Sequence, residues 1–385
     1  MSKHDFSAEE FASRLTRTRA AIADAGLDWL LVFHPVSIHW LTGSDAKSYQ
    51  EFQCLFVSAE DKPLAILTRQ GEGNEFRDDS LVDEIILHGG GEPEDPMEAF
   101  ERVAGVLPLR GQRVGMEVPA FYLHPHHYEK IKEYLGDSLI AEATNLIPVL
   151  KLVKSAQELE YIFEAARIAD NAMEVFAASL QAGKSELELA GEIYRTLLSQ
   201  GSGIAASPIN LVSGERSCFS HGAPTQRKLQ LGDAGNVEFG ATFHRYTSTL
   251  GRQFNIGKTA PRTQEIYEVV RRACDACIAE IKPGVLASAP HEAARKVIAE
   301  AGFESGRVHL SGYGLAPGFP PSWAEPLHLF GGSTHVLQEG MVVTVEPPIF
   351  LGEEKLGARI IDNVLVTKSG AQLLSSFSRD IIVID

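Results

Sequence analysis

No apolar run in the chain approaches the roughly 20 residues needed to cross a bilayer, which excludes a helical membrane span. Cysteine is scarce: four residues in 385 are too few for a disulfide framework. The opening MSKHDFSAEEFASR also lacks the apolar centre of a secretory signal, so the expected compartment is the cytoplasm. Basic residues are in deficit, 35 Lys and Arg against 51 Asp and Glu, for a formal net charge of −16. That balance disfavours a nucleic acid or an anionic membrane surface as partner, and a cationic or zwitterionic small molecule suits it better. Internal repeats and low-complexity tracts are absent, which excludes solenoid and linker-like architectures.

The composition that remains is that of a globular protein, with 44% apolar and 22% charged residues. The length suffices for two domains, each with its own core. Three Ser-x-x-Glu capping boxes mark helix starts at Ser7, Ser155 and Ser185. The first helix is expected to run to about Ala25, with Gly26 as its stop. Up to about Asn145, buried-strand runs (WLLVF, CLFVS, LAILT, EIILH, VGMEV) alternate with helical stretches (MEAFERVAGVL, YEKIKEYL). This pattern predicts an α/β domain over residues 1–150. A long helix from Ser155 to about Ala182 then opens a second domain over 151–385. Its strands (AGNVEFG, YTSTLGRQFNI, MVVTVEPPIF, RIIDNVLVTK) cluster after residue 205. The overall class is therefore α+β, with one curved antiparallel sheet covered by helices.

Cys274 and Cys277 form a C-x-x-C, but Ile266, Val270, Ala273, Cys277 and Ile281 recur at helical spacing. The pair is read as part of an amphipathic helix core rather than a redox or zinc motif.

Polar groups with chemical potential lie in the second domain. Glu238 in NVEFG and Glu346 in VVTVEPP sit within apolar strands, where an unpaired carboxylate is costly, so both are read as functional. His221 lies in a loop before the Leu231–Lys258 hairpin, and its pKa range suits proton transfer. On its own it is a loop histidine without a known partner.

Five segments in order resemble the creatinase, prolidase and Xaa-Pro aminopeptidase family. They are LKLVKSAQELEYIFEAARIAD, SHGAP around His221, VEFG…STLGRQF, HLSGYGLAPGFPPSW, and GMVVTVEPPIF with ARIIDNVLV. The resemblance implies a creatinase-like N-terminal α/β domain, a pita-bread catalytic domain and a homodimer. In such a dimer the Tyr49-Gln50-Glu51-Phe52 segment would reach a neighbouring subunit's site. Metal-dependent members use two Asp, one His and two Glu to bridge two divalent cations. The corresponding positions here are Glu238, Thr249, Tyr313, Glu346 and Ile361. Only two carboxylates remain, so neither a metal nor any other cofactor is expected. His309 and His244 are set aside as structural.

The same comparison places the chain nearest the metal-independent members, creatinase and above all ectoine hydrolase. Gly312-Tyr313 followed by Pro320-Pro321-Ser322-Trp323 carries that likeness, as does Glu238 followed by Arg245-Tyr246. Gly222-Ala223-Pro224 after His221 departs from it toward the general family. The implied activity is hydrolysis of a C–N bond in a small zwitterionic amidine or guanidine. His221, Glu238 and Glu346 would be catalytic. One Glu would act as nucleophile or base and the other as amidinium clamp, with the order open. Substrate contacts are assigned to Tyr313, Arg252, Arg359, Trp323 and Phe319, although a structural salt bridge is an equal reading for either arginine. The alternatives are an Xaa-Pro aminopeptidase or dipeptidase with a reduced metal site, and an inactive solute-binding protein.

Overall fold

The computed structural model describes residues 2–45 and 48–384. The chain divides into two compact units, Met1–Lys151 and Leu152–Asp385.

In the first unit the apolar runs become strands β1 (Trp29–Val32), β2 (Cys54–Ser58), β3 (Ala65–Arg69), β4 (Glu84–His88), β5 (Val114–Met116) and β6 (Leu139–Glu142). They form one sheet in the order β4-β3-β2-β1-β5-β6. The β1–β2 and β2–β3 pairs are antiparallel, and the remaining neighbours are parallel. Helices α1 (Ala8–Asp24), α2 (Pro35–Thr42), α3 (Gly73–Asp79), α4 (Pro96–Val106), α5 (Pro125–Leu135) and α6 (Leu146–Leu150) complete it. Apolar residues are buried in two clusters, one around Phe56 and Phe100, the other around Leu30 and Trp40. Strands buried on both faces read as continuous apolar runs, which is why they were visible in the sequence.

One buried carboxyl organises the start of α2. Glu117 is fully buried and accepts from the Phe33 amide at 3.2 Å, the His34 amide at 3.0 Å and the Ser37 hydroxyl at 2.8 Å. Burial pushes its pKa up to about 7 despite those bonds. His34, half-buried beside it, is pushed down to about 3 by desolvation of its ring.

The second unit opens with α7 (Ala156–Ser179) and α8 (Glu186–Ser199), each started by a complete capping box at Ser155 and Ser185. Ser7 also caps its helix, but the Glu10 carboxylate turns to Arg14 instead of closing the box. Strands β7 (Asn210–Ser213), β8 (Ala234–Phe243) and β9 (Tyr246–Ile256) follow, then α9 (Pro261–Glu280) and α10 (Ser288–Glu300). Both cysteines of the C-x-x-C are buried in the apolar face of α9. The chain ends in β10 (Gly312–Phe319), β11 (Ser322–Leu329), β12 (Val342–Val345), β13 (Ile349–Leu351), β14 (Leu356–Ala358), β15 (Asp362–Thr367), β16 (Gly370–Leu373) and β17 (Ile382–Ile384). Nine of these strands form one curved sheet with the path β16-β15-β12-β10-β9-β8-β7. Its pairs along this path are antiparallel, and β17 adds in parallel to β9.

Candidate active site

The β8–β9 hairpin sets the frame. His244 and Arg245 take positive φ values of 47° and 66°, the tight-turn geometry that matches strand twist. The register pairs Glu238 with Gly251 and Gly240 with Thr249, so these four positions share one face of the sheet. Val237 pairs with Arg252, which places Arg252 on the other face.

A cavity of ≈ 250 Å³, counted to its solvent mouth, is lined by His221, Glu238, His309, Tyr313, Glu346, Pro348 and Arg359. Loops and strand ends far apart in sequence meet here. The Arg359 guanidinium, just beyond β14, pairs with the Glu238 carboxylate. Its second terminal nitrogen donates to the Ser220 carbonyl, immediately before His221. Asn210 on β7 donates to the same Glu238 oxygen at 3.0 Å.

Glu346 differs. It follows β12, is only 5% exposed, and its Oε1 has no hydrogen-bond partner among the described residues. Burial, reinforced by the Glu238 charge and opposed by Arg359, holds its pKa well above the usual carboxylate range. The nearest imidazole is His309, whose Nδ1 lies 3.8 Å from that oxygen. The same nitrogen donates to the Leu310 carbonyl at 3.0 Å, since a carbonyl can only accept. Burial lowers the His309 pKa, which favours the neutral ring. His221 and His309 face each other edge to face with ring centroids 5.9 Å apart.

Tyr313 closes another wall. Its hydroxyl accepts from Trp323 Nε1 at 3.0 Å, and burial followed by the Glu346 and Glu238 charges raises its pKa well above the phenolic norm. The phenol keeps its proton, and that proton is available to the cavity.

The sequence-assigned residues therefore separate. His221, Glu238, Glu346, Tyr313 and Arg359 converge on one cavity. Trp323 stands behind Tyr313 and over Gly240, where an added Cβ would come within 2.8 Å of the indole. Phe319 is buried beneath the Arg245 guanidinium, 4.2 Å from the ring centroid, and is not among the lining residues. Arg252 corrects the substrate-contact assignment. It is fully buried and donates to the carbonyls of Ser378 at 2.8 Å, Gly251 at 2.8 Å, Ile361 at 2.9 Å and Phe377 at 3.0 Å, and to Asp362 at 2.9 Å. Its place on the opposite sheet face is the reason, and the structural salt bridge is the reading that stands. The sequence reads His309 as structural, yet it lines the cavity. The signal was its position three residues before Gly312 in HLSGYG, at the entrance to the Tyr313 strand.

The family profile described as Creatinase/Prolidase N-terminal domain matches residues 14–153. The profile described as Metallopeptidase family M24 matches residues 160–368, more than half of the chain. The chain belongs to metallopeptidase family M24. Its architecture is the creatinase-like N-terminal domain followed by the pita-bread domain. Among its relatives is YkvY of Bacillus subtilis, whose name gives it as an unproven dipeptidase. The two are 30% identical, over 97% of this chain and 100% of the relative. Similar solved structures include an Xaa-Pro dipeptidase from Bacillus anthracis, at 25% identity and a TM-score of 0.85 over 97% of this chain and 100% of that one. Another is dipeptidase PepE from Mycobacterium ulcerans, at 28% identity and a TM-score of 0.85 over 98% and 99%. These names are peptidase names, and none is an ectoine hydrolase or a creatinase, so the finer recognition made from the sequence does not carry over.

An M24 member implies a divalent metal pair, and the donor set does not fit one. Thr249 Oγ1 accepts from the Asn363 amide at 2.8 Å, while Asn363 Oδ1 takes the Thr249 amide at 2.6 Å. Ile361 offers no donor; it is 1% exposed and packs on Gly251, where an added Cβ would lie 2.7 Å from Ile361 Cγ1. Glu238 is already engaged by a guanidinium. Among the described residues no group of three or more His, Cys, Asp or Glu is arranged to hold a metal ion. Bridging two-metal sites demand a fuller set of anionic and imidazole ligands than this.

Proposed function

We propose that this M24 hydrolase cleaves a C–N bond in a small zwitterion whose reacting carbon carries its own positive charge, as in an amidine or guanidine. The observation that carries the reading is Glu346, a buried carboxyl that lines the cavity and has an oxygen without a hydrogen-bond partner among the described residues, while the cavity's other carboxylate is already neutralised. A buried carboxyl without a counter-ion is costly, and a planar cation docking there relieves that cost.

A peptide carbonyl needs strong polarisation, which metal-dependent enzymes obtain from a Lewis acid. An amidinium carbon is activated already. In this reading Glu346, as carboxylate, binds the cationic nitrogens. Water adds to the carbon as His221 takes one of its protons, giving a neutral tetrahedral adduct. His221 passes that proton to the leaving nitrogen, and as the C–N bond breaks the remaining hydroxyl proton goes to Glu346 and the carbonyl forms. Tyr313 is placed to donate to the added oxygen. Glu238, opened as a candidate nucleophile by the sequence, is read instead as the residue that holds Arg359.

A second reading, an Xaa-Pro dipeptidase, is supported by the names of the relatives. The two separate in one assay. Protein dialysed against chelator is incubated with a cyclic amidine, a guanidino acid and Xaa-Pro dipeptides, and products are followed by mass spectrometry. Turnover of an amidine or guanidine without added metal supports the first reading. Dipeptide cleavage restored only by divalent ions replaces it with the second.

A further inference from the structure

The most heavily engaged group facing the cavity is the Arg359 guanidinium, and its contacts are those expected of a resident cation. It pairs with Glu238, with side-chain exposures of 5% and 8%. It reaches the Ser220 carbonyl on the His221 loop and lies 5.2 Å from the Phe350 ring centroid. It is also the one positive group among the influences on Glu346, where it opposes Glu238. Glu238, Glu346, His221 and His309 line the space around it. Taken without Arg359, that set contains two carboxylates and two imidazoles, donor types that a divalent ion takes, although with Arg359 in place no three of them are arranged to hold one.

We propose that Arg359 is the built-in counter-ion of this site. It takes the electrostatic place of a divalent cation, paired with Glu238 and acting on Glu346 across the cavity lining, and at the same time anchors the loop that presents His221. A planar guanidinium suits both tasks because it can bond to a carboxylate and a carbonyl with separate nitrogens. The disagreement between family and donor set then has a counterpart: where Thr249, Tyr313 and Ile361 remove ligands, the chain supplies a cation of its own. The proposal shares the metal-free reading of the site with the proposed function, but its readout is ion binding, not turnover. An enzyme that cleaves dipeptides would leave it standing if the ion-binding results held.

The test uses Mn²⁺ and Zn²⁺ alone, titrated calorimetrically into full-length chains stripped of metal, with bound ion counted by elemental analysis after dialysis. Arg359→Gln is expected to bind about one ion per chain, while wild type, Arg359→Lys and the double variant Glu238→Gln/Arg359→Gln bind none. Stoichiometric binding by wild type or by Arg359→Lys overturns the proposal, and so does failure of Arg359→Gln to bind. Arg359→Gln can lose its fold in metal-free buffer, since Glu238 is then left without its partner. In that case circular dichroism decides: recovery of the fold on adding Mn²⁺ supports the proposal, and a chain that stays unfolded with Mn²⁺ overturns it.

Discussion

At the scale of single residues, the site is defined by how differently its two carboxyls are treated. Glu238 has a guanidinium and an amide on one oxygen, whereas Glu346 has an oxygen with nothing. Both were visible in the sequence as acids inside apolar strands, but their division of labour was not. It depends on Arg359 and Asn210, which are distant in sequence and gave no periodic signal. Arg252 and Arg359 looked equivalent for the same reason, but Arg252 stands opposite Val237 on the other face of the β8–β9 hairpin, whereas Arg359, just beyond β14, meets Glu238. Glu346→Gln keeps the side-chain shape but removes the acid. In the assay that reveals activity, kcat/KM is expected to fall about 10²- to 10⁴-fold, the usual range for a lost acid–base group. Undiminished turnover would remove Glu346 from the mechanism. The raised pKa also gives a stability sign. The protonated carboxyl is favoured in the fold, so stability is fully present at low pH and is lost as pH rises through the folded value. The Gln variant should therefore be the less pH-sensitive protein as pH rises above the ordinary carboxylate range.

At the scale of elements, the helices and buried strands were legible because capping boxes and continuous apolar runs are local signals. The β10–β11 hairpin was not read as strands. Its Gly312, Gly314, Pro317, Gly318, Pro320 and Pro321 look like loop punctuation, and strands rich in such residues are disfavoured on propensity alone. Tertiary contact overrides that. Pro317 pairs with Tyr246, and Gly314 pairs with Val343, so the hairpin is built into the sheet. Gly312 shows why a side chain is missing there: a Cβ would sit on the Thr344 carbonyl. Gly312→Ala must therefore separate β10 from β12, the strands that carry Tyr313 and lead to Glu346. A loss of roughly 1–3 kcal/mol or more is expected from such overpacking, read from urea unfolding with the far-ultraviolet spectrum intact. A variant as stable as wild type would show that the two strands can part freely.

At the scale of the whole molecule, the first unit carries a paired pH response that no sequence pattern announces. Glu117, raised to about 7, favours the fold at low pH and loses that contribution as pH climbs from its unfolded range through the folded value. His34, lowered to about 3, works in reverse, because protonating it below its unfolded range favours the unfolded chain. The two slopes oppose each other in mildly acidic buffer. Comparing wild type with Glu117→Gln isolates the carboxyl. Their difference in unfolding free energy should shift against wild type by on the order of 3 kcal/mol between pH 4.5 and 7.5, from the cited raised value. Parallel pH profiles for the two proteins would place the carboxyl's titration outside that window. Folding in this unit and the cavity in the other are thus set by the same physics, a buried acid whose neighbours decide its charge.

The Trp323–Tyr313 contact has an experimental consequence. The chain has three tryptophans, and Trp29 and Trp40 are sealed in the core of the first unit. Trp323 has its indole nitrogen bonded to a cavity wall, at 3.0 Å from the Tyr313 hydroxyl. Any ligand that competes for that hydroxyl alters the surroundings of a single emitter. The protein thereby carries its own optical gauge of occupancy, readable from intrinsic fluorescence without a label and before any substrate is known.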